Sequence, residues 1–238
     1  MKNQNATLAR RQLRMARSLK RATVSARFFK TGVGQYGEGD TFLGLTVPMI
    51  RKVVADFSNL SLKETKIFLT SRWHEERLFA LLVLVRQYER GDEQTKERIA
   101  RFYLQNRRYI NNWDLVDSSA DKILGAHCFE NSPAILYKLA KSKIIWDRRI
   151  AILGTLFFTR KGHYDQTLRI AGMLLNDKQD LIHKAVGWML REVGKRSLVA
   201  EEKFLRQYAS TMPRTMLRYA IEQFPKRKRS FYLQQRTD

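Results

Sequence analysis

The sequence predicts an all-α chain built as an α-solenoid of antiparallel helix pairs. Three observations carry that expectation. Apolar residues from Thr46 onward recur at helical spacing, as in Val47, Ile50, Val53, Val54 and Phe57. Turn formers at Gly91-Asp92, Asn131-Ser132-Pro133, Gly162, Asn176-Asp177 and Met212-Pro213 cut the chain into helix-sized pieces. A pattern also repeats: Arg77, Trp113, Arg149, Lys184 and Arg218 lie 36, 36, 35 and 34 residues apart, near the starts of similar apolar segments. Two helices per period of that size mean stacked pairs of the HEAT-like class, slightly below the usual ~40–47 residues, with roughly six units. Such arrays curve, so the repeating basic position becomes a line of charge along a concave groove. Trp113 replaces the basic residue in one repeat only.

The elements follow in order. Residues 4–30 read as one or two amphipathic helices, with Leu8, Leu13, Ala16 and Leu19 to bury and Arg10, Arg11, Arg14, Arg17 and Arg21 to face phosphates. Gly32, Gly34 and Gly37 form a formal G-x-G-x-x-G, but no strand precedes it and no helix starts directly after it. A loop between helices, able to approach a DNA backbone closely, is the expectation. Pro48 suits a first helical turn, and Ser61 with Glu64 makes a capping box. Helices are expected over 74–88, 95–106, 113–125, 133–141, 146–160, 164–175, 181–194, 199–209 and 213–224. Residues 1–225 read as a single repeat domain and 226–238 as a basic, solvated tail.

Composition narrows the partner. The 238 residues hold 45 Lys+Arg against 23 Asp+Glu, for a net charge of +22. A surplus that large points to a polyanion, nucleic acid ahead of membrane or acidic protein. Cys128 is the single cysteine, so no internal disulfide forms and a reducing compartment is expected. No run approaches the ~18 apolar residues of a membrane span. No metal site is expected, because His127-Cys128 lacks a second ligand pair, and no P-loop or G-x-S-x-G elbow is present.

The chemistry is sought at Asn111-Asn-Trp-Asp-Leu-Val-Asp117. Trp113 and Asp117 are four residues apart, one turn on a single helix face. Repeats in register would bring Trp113, Arg149 and Lys184 to adjacent inner helices, with Trp188 level with Asp117. Core packing remains the ordinary reading of either tryptophan alone, and a surface ion pair that of Asp117.

These residues, together with Gly32 to Pro48, Asn112 to Ser118, Ile145 to Leu153 and Lys184 to Glu192, resemble the bacterial AlkD-like DNA alkylation repair family over nearly the whole chain. The resemblance implies a HEAT-like DNA glycosylase of the bacterial cytosol or nucleoid. It would act as a monomer, without cofactor, on double-stranded DNA containing alkylated bases. It places the catalytic aspartate at Asp117, the active-site tryptophans at Trp113 and Trp188, and a backbone-contacting arginine at Arg149. Arg77, Lys184, Arg191 and Arg218 complete the expected DNA-binding set. Asn112 departs from members that carry an aromatic there, which bears on DNA contact. The activity implied is release of 3-methyladenine and 7-methylguanine without base flipping. A non-catalytic DNA-structure binder on the same scaffold, or a HEAT-type module for an acidic protein, is the alternative.

Overall fold

The computed structural model describes residues 4–235. The chain is all-α; among the described residues no strand forms, and one isolated parallel bridge joins Thr41 to Trp73. It divides into two compact units, Met1–Ile123 and Leu124–Asp238, where the sequence reading has one domain over 1–225.

The first unit opens with α1 (Gln4–Met15) and α2 (Leu19–Phe28). Helices α3 (Val47–Asp56), α4 (Leu62–Leu69), α5 (His74–Arg90), α6 (Glu93–Asn106) and α7 (Trp113–Asp117) follow. The capping box of α4 forms as expected, with Glu64 accepting from the Ser61 backbone at 2.9 Å. Helix α5 is the centre of the unit, packing on α3, α4, α6 and α7. Phe79, Leu81, Val83 and Leu84 on it are fully buried.

The glycine-rich loop does make a close approach, but to the protein itself. Gly44 has φ +79°, and a Cβ there would lie 2.2 Å from the Ser18 carbonyl oxygen at the start of α2. The buried Glu75 carboxylate receives the backbone N–H groups of Leu43, Gly44 and Leu45 at 2.8, 2.8 and 3.2 Å. Those bonds fasten the end of the loop to the first turn of α5.

The second unit contains α8 (Ala126–Glu130), α9 (Ala134–Ala140), α10 (Ile145–Arg160), α11 (Asp165–Met173), α12 (Asp180–Gly194), α13 (Leu198–Tyr208), α14 (Arg214–Ala220) and α15 (Lys226–Gln234). Helix α10 packs on α9, α11 and α12, and α12 packs on α13 and α14. The row α10–α12–α14 is the stacking of a helix-pair repeat. Its register matches the sequence period: Arg149, Lys184 and Arg218 are each the fifth residue of their helix.

One crossing in this row is tight enough to predict a mutational cost. A Cβ on Gly187 of α12 would meet the Met216 carbonyl oxygen at 2.4 Å and the Tyr219 Cβ at 2.5 Å. Gly187→Ala is therefore expected to push α14 away and to destabilise by about 1–3 kcal/mol, read as a lower urea midpoint.

Two elements differ from the sequence expectation. The single helix over 113–125 is interrupted: α7 ends at Asp117, and a π-helical turn occupies Asp121–Gly125 before α8. The Ser119 hydroxyl donates to the Leu115 carbonyl at 2.6 Å, a local bond of the kind that bends helices. The basic segment after Pro225 forms α15 as far as Gln234. Proline is preorganised to start a helix. The new helix is fastened by the buried Tyr232 and by Arg214, which donates to the Leu233 carbonyl at 2.7 Å.

Candidate functional site

Helix α7 is only five residues long, too short to hold its position by helical propensity. Its place is set by a buried polar cluster inside the first unit. Asn112, fully buried, accepts from the Trp113 backbone N–H at 2.8 Å and donates to Asp40 at 2.9 Å. His74, the first residue of α5, bonds Asp40 through Nδ1 at 3.1 Å and Asp114 through Nε2 at 2.7 Å. Arg77, one turn further along α5, donates to Asp40 at 2.5 Å. Loop, α5 and α7 therefore meet through one carboxylate, Asp40, and one imidazole.

The charges in this cluster balance. Burial acts to lower the pKa of His74, but hydrogen bonds to Asp114 and Asp40 overcome it and raise the value to about 9. Burial likewise acts to raise Asp40; the bond from His74, the Arg77 guanidinium and Asn112 win, and hold it below the ordinary carboxylate value. At neutral pH, two carboxylates thus face one imidazolium and one guanidinium.

An aromatic column stands beside it. The His74 ring stacks on Phe42 at 4.7 Å, Phe42 on Phe29 at 5.1 Å, and Phe29 on Trp113 at 5.2 Å. Phe28 meets the Trp113 ring edge-on at 5.8 Å. Trp113 begins α7 and Asp117 ends it one turn later, and both are half-buried. The pair expected from the spacing thus exists on one short helix, anchored at its N-terminal end by Asn112 and Asp114.

In the second unit, Lys184 and Trp188 lie one turn apart on α12, both half-buried. Lys184 forms an ion pair with Asp180 at 2.7 Å. Arg191, on the same helix, pairs with Glu222, and Arg218 on α14 is exposed.

Two of the residues expected to contact phosphates are buried in the fold. Arg77 and Arg149 are each only 5% exposed. The Arg77 charge is balanced inside the fold by Asp40. Arg149 donates to the Leu181 carbonyl at 2.6 Å, bridging from α10 to the start of α12. Asn112 is an internal cap with no surface to offer DNA.

Sequence reasoning missed Asp40, His74 and Asp114. Asp40 closes the glycine-rich loop and His74 directly precedes two acidic residues on α5. Both were visible as types, but no spacing joins them.

Glu201 on α13 is another buried acid, 1% exposed. Burial, aided by the Glu202 charge and opposed by Arg191, pushes its carboxyl up to about 8. The folded state therefore binds this proton more tightly than the unfolded chain, whose value is near 4.5. Stability is lost as pH rises from about 4.5 through about 8. Glu201→Gln is expected to leave stability nearly unchanged at pH 4 and to raise it by a few kcal/mol, roughly, above pH 8. Urea titrations at the two pH values check this.

The family model described as DNA alkylation repair enzyme matches residues 9–224. The chain belongs to this family. Its role accordingly lies in DNA alkylation repair, and DNA is its partner. A solved structure described as a predicted DNA alkylation repair enzyme from Enterococcus faecalis shares the fold, with a TM-score of 0.71 at 17% identity. The match covers 88% of this chain and 97% of that one. No curated protein matches the chain. Among the described residues of this family member, no helix is long and apolar enough to cross a membrane.

Proposed function

We propose that this alkylation repair protein is a monofunctional DNA glycosylase. It hydrolyses the N-glycosidic bond of cationic alkylated purines, such as 3-methyladenine and 7-methylguanine, in duplex DNA. The observation that carries the reading is the Trp113–Asp117 pair on α7, held by the buried His74–Asp40 cluster. Alkylation at N3 or N7 gives the base a positive charge and makes it a good leaving group. No general acid is then required.

What remains is to stabilise a sugar that becomes oxocarbenium-like and to position a water. One carboxylate, Asp117, suffices for both. The indole face of Trp113, on the same short helix as Asp117, attracts cationic sugar character, at ~0.5–2 kcal/mol. Lys184, Arg191 and Arg218 supply charge for phosphates, a contribution that sets affinity without reading sequence. Arg149, carried over from its motif, steadies the start of α12 behind them. This chemistry needs no base flipping and no cofactor, and a monomer in the bacterial cytosol can perform it.

The test is direct. Incubate the protein with methylated duplex and separate free bases chromatographically. Time-dependent appearance of 7-methylguanine and 3-methyladenine is the expected result. Salt-dependent DNA binding with no released base from either lesion would leave a non-catalytic binder on the same scaffold.

A further inference from the structure

Between α1 and the start of α5 lies a cleft of about 640 Å³, lined by Arg10, Arg14, Arg17, Arg72, Trp73 and Glu76 among others. It lies within the first unit, and none of these side chains takes part in the α7 cluster. Its arginines are oriented, unlike those of an ordinary basic surface. Glu76, whose side chain is fully buried, accepts from Arg10 Nε and Arg14 Nε at 3.2 Å each. Arg17 and Arg72 lie over the Trp73 ring at 5.4 and 4.8 Å. Trp73 is itself fixed as the residue preceding α5. Four guanidiniums against one carboxylate leave a local surplus of three positive charges.

We propose that this cleft is a second nucleic-acid contact, holding the phosphodiester backbone of a strand through Arg10, Arg14, Arg17 and Arg72. The spread of the guanidiniums selects the ligand. Arg10 and Arg14 stand one turn apart on α1, about 6 Å at 1.5 Å per residue, and Arg17 follows two residues beyond the end of the helix. Arg10 and Arg14 on α1, with Arg17 and Arg72 over the Trp73 ring, spread four guanidiniums over more than a single inorganic ion can engage, as successive phosphates of a strand can. Guanidinium is also the group that pairs most readily with phosphate oxygens while stacked on an aromatic ring. The inference rests on the chain being a DNA binder, not on its releasing a base.

The test compares two variants that each lose two positive charges. Arg17→Gln/Arg72→Gln alters the cleft and leaves the buried Glu76 pairs intact. Arg98→Gln/Arg101→Gln removes exposed arginines from α6. Affinity for unmodified duplex is measured across a salt series. The cleft variant is expected to lose affinity on the order of tenfold and to flatten the slope of log K against log salt by about 2, at 0.9 per phosphate contact. The α6 variant should retain the wild-type slope. Equal losses in the two variants would reduce the effect to net charge and overturn the assignment. So would calorimetry showing that the cleft variant loses inorganic phosphate binding while its duplex affinity is unchanged. Because only binding is read, a failure here is separable from absence of base release.

Discussion

Asp117→Asn is expected to slow release of 7-methylguanine from methylated duplex by roughly a hundredfold to a thousandfold. A carboxylate about 4 Å from a sugar cation, at an effective dielectric near 20, contributes about 4 kcal/mol. Each 1.36 kcal/mol is about tenfold in rate, which gives the upper end of that range. Asparagine keeps the shape and removes only the charge. Helix α7 is fixed at its N-terminal end by Asn112 and by the His74–Asp114 bond, away from Asp117 at its C-terminal end. The unfolding midpoint should therefore stay at the wild-type value. DNA affinity should be unchanged or slightly raised, since a negative charge leaves a chain of net +22. Equal release by the two proteins, at equal stability, would remove Asp117 from the mechanism and with it the proposed chemistry.

The repeat architecture was legible because packing sets its period. Arg149, Lys184 and Arg218 recur at nearly constant intervals because each begins a helix that must stack on the one before. The pairing of Trp113 with Asp117 was legible too, since one helical turn is a local distance. Periodicity did not show that Arg77 and Arg149 are buried. It identifies which side of a helix repeats, not whether the tip of a long side chain reaches solvent or the adjoining helix. The Asp40–His74–Asp114 cluster was illegible for a related reason. Its members are separated by 34 and 40 residues, and only the folding of the glycine-rich loop onto α5 joins them. The break after α7 depends equally on context. Ser118 and Ser119 tolerate a helix by composition, and the bond from Ser119 to Leu115 becomes decisive only where the chain turns.

Removing His74 should have the largest effect on stability. His74→Leu deletes a ring that is 2% exposed and donates to two carboxylates. Leucine fills much of the volume but leaves Asp114 without its 2.7 Å partner and Asp40 with only Arg77 and Asn112. Breaking a buried charge pair from one side costs about 3–5 kcal/mol. A urea midpoint within 0.5 kcal/mol, roughly, of wild type would show that the cluster is not the anchor described here. The charge itself is tested by pH. With a folded value near 9 and a free value of 6.5, this contribution is complete below about pH 6.5 and fades as pH rises through about 9. His74→Gln keeps an uncharged donor but no titration, so its stability should fall less over that interval than that of wild type. Glu201 titrates in the same direction between about 4.5 and 8, so the two windows overlap. Making the comparison in a Glu201→Gln background isolates the imidazole. A loss of stability between pH 6.5 and 9 that survives in the double variant would assign the titration to some other group.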